Sequence, residues 1–559
     1  MTTTDKFVIK VENGGDFEYH APISLMDFIK EHPETVDRYE HPVIAAHVDN
    51  KLVSLHYRIV RDVNVRFIDL SHPDGQRVYE RSVAFVMTYA AHQVLPEVRI
   101  NVLHSYRNGI YCEAAREEPL TRDEISKIKE KMLEIIEQDL PIVPEAIDEE
   151  TGIKLFQRME DRTDVIRLFK YMPEHQRVFI YHIGDYIDYA YIPLAYRTGV
   201  LDRFDLVPYG DGMVILLPER LNVSKVAKLE EQPKLFATFK ESARWARVLG
   251  VKDVGSLNQV IASGHVSDFV KISEAFHEKK VAQIADEITS KERNVKIVLI
   301  AGPSSSGKTT FSKRLAIQLR VNERSPITIS LDDYFVDRER TPIGEDGKPD
   351  FDSIDAIDVA LFNENIEDLL KGKEVEIPKF NFKAGKRMPG RKLRMKPDDI
   401  LIVEGIHGIN PRLVSSIPVE HTYRIYVSAL TQISIDGHNR ISTSDTRLIR
   451  RLVRDKFFRG HSALTTLSMW PNVRKGEEKH IFPYQENADI MFNSALLYEL
   501  AVLKLYVEPM LEEVSPDVPE YADAVRLIWL LSHILGMLPN EVPPTSILRE
   551  FIGGSSFKY

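Results

Sequence analysis

Short apolar runs separated by helical patterns mark out the second half of this chain. IVLIAG (297–302), ITISLDD (327–333) and DILIVEG (399–405) read as buried parallel strands alternating with helices. The first half has a different texture. FVIKV (7–11) leads through Asn13-Gly14-Gly15 into FEYH, and SLMDFIKEH follows with helical spacing. VIAAHVD (43–49) and KLVSLHYRI (51–59) are strand candidates joined at Asp49-Asn50, a hairpin-type turn. Residues 1–70 therefore form a small α+β unit. In a second block, 71–220, Thr121-Arg-Asp-Glu is a capping box, and Ile125, Ile128, Met132 and Ile135 recur at helical spacing behind it. Strand patterns fall at 177–192 and 213–218. Residues 221–293 read as a polar helical connector and 294–500 as the α/β block. Residues 501–559 return to helices punctuated by Pro509, Pro516, Pro519, Pro539, Pro543 and Pro544. No internal repeat interrupts this order.

A length of 559 residues fits the three to five domains this pattern suggests. An apolar fraction of 43% with 28% charged residues supplies several cores. The formal charge of −11 argues against a dedicated duplex-DNA or anionic-membrane binder. A single cysteine, Cys112, excludes an internal disulfide framework and any multi-thiolate zinc site. The opening MTTTDKFVIKVENGG lacks the apolar run of a signal peptide, and the greasiest stretch, Leu527–Leu538, is too short to span a bilayer. These features predict a soluble, cytoplasmic, multidomain protein.

Residues 302–309, GPSSSGKT, satisfy G-x-x-x-x-G-K-[ST] between an apolar strand and an amphipathic helix carrying Phe311, Leu315 and Leu319. Gly302 and Gly307 allow the tight turn, and Pro303, Ser304, Ser305 and Ser306 supply the loop between them. Backbone amides from the loop through Thr310 then face the phosphates. Lys308 can reach the β/γ-phosphates and the Thr309 hydroxyl can bind Mg²⁺. This is a nucleotide-phosphate site, with ATP and Mg²⁺ as the expected cofactors.

Asp332 and Asp333 end an apolar strand, where one carboxylate can take a proton from a substrate hydroxyl or the pair can cap the next helix. Glu404 ends a second such strand, placed either for a magnesium ion or for solvent. Arg447, Arg450, Arg451, Arg454, Lys456 and Arg459 cluster against the single acid Asp455, and anion contact is the favoured reading. Between Lys379 and Lys396 lie eight basic residues and no acid, interleaved with Phe380, Phe382 and Met388; anion contact and a solvated face stand level there.

GPSSSGKTT, SLDDYF, FDSIDAID, EVEIPKFNF, ILIVEG and DTRLIRRLVRDKFFRG, in this order, resemble the uridine kinase/phosphoribulokinase family, and within it uridine-cytidine kinases, over about 293–500. The resemblance implies Asp332 as general base toward a nucleoside 5′-hydroxyl and Asp352 as the ribose-holding carboxylate. It implies Glu404 and Thr309 as the magnesium shell and Arg451 as a substrate-side arginine. Arg454 and Arg459 would be lid residues on the ATP phosphates, acting with Lys308, and Phe380 and Phe382 would line the base pocket. Departures cluster at the base. Phe380 stands where the family has Tyr, the base-reading His falls on Gly385, a further lid arginine on His461, and a base-contacting Gln near Met469. Losing those donors weakens discrimination between bases.

PVIAAHVDNKLVSLHYRI, RSVAFVMTYAAHQVLPE, HSYRNGIYCE and DYIDYAYIPLAYRTGVLDRF resemble the N-terminal region of threonyl-tRNA synthetases, a TGS domain (1–70) followed by an editing-like domain (71–220). At the four positions where that family carries a metal or hydrolytic set, this chain has Arg81, Phe85, Ala190 and Leu194. None can bind a metal. His92, His104 and Cys112 read as packing residues rather than a replacement site.

The resulting expectation is an α/β, P-loop NTPase-type parallel sheet with helices on both faces, preceded by α+β β-grasp and editing-like domains. The expected reaction is ATP-dependent phosphorylation of a small-molecule hydroxyl, most simply a nucleoside 5′-OH, in a homo-oligomer. Two alternatives stand beside it: a kinase of another alcohol such as a sugar phosphate, and an RNA- or ribosome-associated ATP-binding regulator. The net charge disfavours RNA contact through the N-terminal half.

Overall fold

The computed structural model describes residues 6–159, 162–174, 176–220, 222–344, 347–414 and 417–559. The first unit is a five-stranded sheet in the order Gly15–Tyr19, Phe7–Val11, Val63–Ile68, Ala45–Val48, Lys51–Ser54. The helix Leu25–Glu31, capped by Ser24, buries Leu25 and Phe28 against it. Asp49 and Asn50 take φ of 47° and 58°, the left-handed pair that a two-residue hairpin needs to match strand twist.

The second block is built on the 22-residue helix Pro73–Val94. The helix Arg122–Glu137 packs beside it, its Thr121–Glu124 capping box formed and Ile125, Ile128, Met132 and Ile135 buried. Four strands (Asp205–Tyr209, Gly212–Leu216, Gly109–Ala114, Ile100–Tyr106) and three (Val143–Asp148, Arg177–Ile183, Tyr186–Tyr189) make its two main sheets.

The α/β block holds a five-stranded, all-parallel sheet in the order Ser325–Ser330, Asp399–Glu404, Ile297–Ala301, Thr422–Ser428, Ile490–Asn493. Its first strand in sequence lies in the middle, so the chain leaves to one side and then the other. Ligands of open α/β sheets bind where the order reverses, at the carboxyl ends of the strands. The helices Val266–Thr289 and Lys308–Val321 share one face of this sheet, and Val281, Ile284, Ile288, Val298, Ile300, Phe311 and Leu315 are buried in the same core. That core runs on into the helices Glu499–Glu512 and Tyr521–Ser532 and to Phe551, so residues flanking the parallel sheet on both sides complete it. Among the described residues no helix is long and apolar enough to cross a membrane.

One loop of the α/β block reaches into the N-terminal half. Arg81 donates to His438 O at 2.9 Å and to Asn439 Oδ1, while Asn439 Nδ2 donates to Tyr189 O at 3.0 Å. Gly437 N donates to Asp164 at 2.6 Å, and Val102 N donates to Gly437 O at 2.8 Å. Arg162, almost wholly buried, pairs with Asp164, Asp188 and Asp436. Burial alone would push Asp188 up, yet Arg162 and His438 hold it well below the usual carboxylate range. Phe85, Ala190 and Leu194 are packed in the apolar core beside this loop. The four positions of the synthetase-type set thus contribute one arginine that grips the loop and three apolar core residues.

Candidate active site

The strand Ile297–Ala301 is fully buried and delivers the loop to the middle of the sheet edge. At Gly302 an added Cβ would lie 2.0 Å from Val427 O, so only glycine lets the two backbones approach. Gly307 takes φ 83° and precedes the helix Lys308–Val321 with no side chain capping it. An uncapped helix start leaves its first amides for an anion. Lys308 Nζ curls over the loop and donates to Gly302 O at 2.9 Å and Pro303 O at 3.1 Å. Burial draws its pKa below the usual range, against the pull of Glu404, Glu550 and Asp332.

The loop is held from outside by buried arginines. From the helix Thr443–Arg459, Arg447 Nε donates to Ser304 O at 2.9 Å, Arg451 to Ser304 Oγ at 2.9 Å, and Arg450 to Ser305 O at 3.4 Å. Ser304 N donates to Glu477 at 3.0 Å, and Glu477 in turn pairs with Arg447 and Arg474. Ser494 Oγ donates to Ser306 O at 2.5 Å. The hydroxyls of Ser305 and Ser306 are buried with no protein partner. Arg454 and Arg459 lie against Asp455, as does Arg451, so one buried carboxylate gathers three guanidinium groups. His461 approaches the same carboxylate at 3.9 Å.

Thr309 Oγ1 donates to Glu404 Oε1 at 3.0 Å, joining the helix start to the end of the strand Asp399–Glu404. Glu404 Oε2 is buried with no partner. Burial, with the charges of Glu550 and Asp332, pushes this carboxyl up to about 7, and Lys308 and Thr309 work against them. An oxygen-only pair with one orphaned carboxylate oxygen suits a small hard cation that keeps several waters. No cluster of three or more His, Cys, Asp or Glu residues able to hold a metal occurs among the described residues, which includes the surroundings of His92, His104 and Cys112. His104 stacks on Phe239 and Cys112 is buried.

Asp332 and Asp333 share the short 3₁₀ turn Leu331–Tyr334, started by Ser330 Oγ accepting from Asp332 N at 3.3 Å. Their side chains have different fates. Asp333 pairs with Lys379 at 3.0 Å and accepts from Phe380 N at 3.3 Å, pinning the strand Lys379–Asn381 to the turn. Among the described residues nothing hydrogen-bonds or ion-pairs with the Asp332 carboxyl, and the residue is exposed. It is reached by solvent yet lies low among protein atoms. Burial raises its pKa, and the ammonium of Lys308 opposes that rise.

Asp352 lies across the cleft, against the helix Ala463–His480, where a Cβ on Gly476 would come within 2.3 Å of its Oδ2. Burial, Asp350 and Glu477 lift it to about 6, and Arg451 opposes them. Asp332 lies close enough to act electrostatically on Asp352, Glu404 and Lys308 alike. Phe380 and Phe382 form an aromatic trio with Phe335, with centroids 5.2–6.3 Å apart; Phe380 is buried and Phe382 exposed. Gly385, at φ 64°, is covered by Arg338, which donates to Phe382 O at 2.7 Å.

Two participants carried no sequence signal. Glu477 is one acid among several on a polar helix, and Glu550 lies 240 residues from the threonine it touches. Neither could be found from spacing.

Comparison with known proteins finds different relatives for the two halves of the chain. The Threonine--tRNA ligase of Alkalilimnicola ehrlichii is 28% identical over 198 residues, 35% of this chain and 30% of that protein. That of Halorhodospira halophila is 31% identical over 163 residues, 29% of this chain and 25% of that protein. The chain thus spans under a third of the length of these relatives. Among solved structures, a "Possible Uridine Kinase from Bacillus stearothermophilus" aligns with a TM-score of 0.27 and 15% identity, covering 38% of this chain and 97% of that one. The N-terminal half is therefore similar to threonine–tRNA ligases, and residues 297–499, which contain every cleft residue described above except Glu550, match the model of the Phosphoribulokinase / Uridine kinase family.

Proposed function

We propose that this chain is an ATP- and Mg²⁺-dependent kinase that phosphorylates a small-molecule hydroxyl, with a nucleoside 5′-hydroxyl as the favoured acceptor. The observation that carries this reading is the division of labour at the strand end. Asp333 is committed to Lys379 and Phe380, whereas Asp332 is left unpaired beside Lys308 and Glu404. A free carboxylate facing the phosphate loop can accept the proton of an attacking hydroxyl.

The other residues fall into supporting roles around that proton transfer. Loop amides and Lys308 hold the phosphate chain, and Arg447, Arg450 and Arg451 keep the loop in shape. Arg454 and Arg459, gathered on Asp455, would supply positive charge to the phosphates. Asp352 offers acceptors to the hydroxyls of the sugar. Phe335, Phe380 and Phe382 give a flat ring an apolar surface. Thr309 and Glu404 would hold the magnesium ion, which when bound neutralises charge on the phosphate oxygens.

Coupled ATP consumption against a panel of nucleosides and sugar phosphates tests the reading, with tRNA as a further addition. Consumption is expected with a nucleoside. Asp332→Asn should lower turnover by roughly 10²–10⁴-fold, the usual worth of a general base, while ATP binding is kept. Normal turnover in that variant removes Asp332 from the role. A second reading, a kinase of a non-nucleoside alcohol, draws on the pocket itself: Gly385 offers no side chain to read a base, and the group that covers it, Arg338, is a cation that suits an anionic acceptor. Response to a sugar phosphate alone would decide for it.

A further inference from the structure

The first turn of the phosphate-loop helix already holds an anion. Glu550 accepts from Thr310 N at 3.1 Å and from Thr310 Oγ1 at 2.6 Å, and the same hydroxyl meets Tyr559 OH at 2.8 Å. Thr310 is the third residue of the helix Lys308–Val321, so its amide is one of those a helix start leaves unbonded. In a loop of this type these are the amides that cradle the α- and β-phosphates.

Glu550 is not there by chance of a long side chain. It sits in the short helix Arg549–Ile552, whose neighbours are fastened around the loop. Ile547 closes over Gly307, where an added Cβ would lie 2.5 Å from Ile547 Cγ2. Phe551 packs under the guanidinium of Arg450, 5.1 Å from ring centre to charge, and Arg450 itself holds Ser305 and Ser494. Lys313, one turn along the phosphate-loop helix, places its ammonium 5.7 Å from the ring centre of Tyr559. The Glu550 charge is felt by Lys308, Glu404 and Arg454, three residues assigned above to the phosphates and their metal.

We infer that Glu550 is a built-in competitor of the phosphate donor: it occupies an amide and a hydroxyl that the nucleoside triphosphate needs, and donor binding displaces it together with the segment 547–559. This rests on the reading of 302–310 as a nucleotide site. Two negative groups cannot share the Thr310 amide, so the donor's affinity is set by the difference between its own bonds and those Glu550 gives up. Glu550 is then a determinant of donor affinity, and the segment around it covers the loop until a triphosphate arrives.

Calorimetric titration with ATP and Mg²⁺, without any acceptor, compares the wild-type chain with Glu550→Gln and Glu550→Ala. Both variants should bind ATP about ten-fold more tightly, the scale of one charge-assisted hydrogen bond no longer broken. Hydrogen exchange on the wild-type chain gives a second measurement free of any mutational effect on folding. Amides of 549–553 should exchange faster with ATP bound than without. Equal or weaker affinity in both variants, or unchanged or slower exchange, overturns the inference while leaving the nucleotide site standing. Absence of ATP binding in all three proteins overturns the nucleotide site and this inference with it.

Discussion

Glu404 shows how far one carboxyl can be bent toward a task. Its ordinary pKa is near 4.5, whereas burial deep in the fold, with the charges of Glu550 and Asp332, lifts it to about 7. The folded chain therefore holds an extra proton between those limits, and the ligand-free protein loses stability as pH rises through that window. Asp352, lifted to about 6, adds to the same trend. Glu404→Gln removes the larger part of it. Thermal melts of the ligand-free protein should show the variant gaining more over wild type at pH 8 than at pH 5. The variant should also lose the extra stabilisation that Mg²⁺ gives to ATP-bound protein. The same scale shows where sequence reading stops. SLDDYF presents two adjacent carboxylates of which resemblance alone singles out Asp332, and the fold adds the physical difference, that Asp333 is tied to Lys379 while Asp332 is not. Composition around the pair gives no hint of this, because Lys379 is one of eight basic residues in its stretch.

At the scale of the element, the arginine helix Thr443–Arg459 is the informative case. Its charge pattern is plain in the sequence, and anion contact is the reading that pattern favours. Its partners are not plain, because Ser304, Ser305 and Glu477 are 30 to 147 residues away. The helix proves to be two-sided. Arg447 and Arg450 are buried, each on a buried glutamate, and brace the loop; Arg459 lies half-exposed at the far end. Arg447→Ala would leave Glu477 buried without its main partner, a loss of about 3–5 kcal/mol in unfolding free energy. Arg459→Ala should stay within about 0.5 kcal/mol of wild type. Urea denaturation of the two variants separates bracing from surface charge, and equal losses would contradict the division. The phosphate loop, by contrast, is legible in full, because strand, glycines and helix start are consecutive in the chain. Glu550 is invisible for the opposite reason: the contact joins segments that only the shared core of the sheet and the final helices brings together.

For the whole molecule, the decisive contact is the loop 436–440 seated in the N-terminal half. Both resemblances are readable from motifs, each within its own half. Their junction is not, since it consists of single residues: Arg81, Arg162, Asp164 and Asp188 on one side, Asp436, His438 and Asn439 on the other. Replacing Arg162 with Met would remove the cation that three buried carboxylates share, leaving Asp164 to Arg99, Asp188 to His438 and Asp436 to backbone and amide donors. Unfolding free energy at pH 7.5 should fall by about 3–5 kcal/mol, the cost of breaking a buried ion pair from one side. The deficit should shrink at pH 5, because carboxyls deprived of their cation take up protons more readily and the folded state then binds more of them. A deficit that is equal at both pH values would mean that Arg162 acts through packing alone.

That junction also bears on inheritance. A fragment encoding the N-terminal half by itself would keep Arg162 on Asp164 and Asp188 but would lose the partners that the 436–439 loop supplies, Asp436 for Arg162 and the oxygens of His438 and Asn439 for Arg81. Selection on such a fragment would first have to replace those partners.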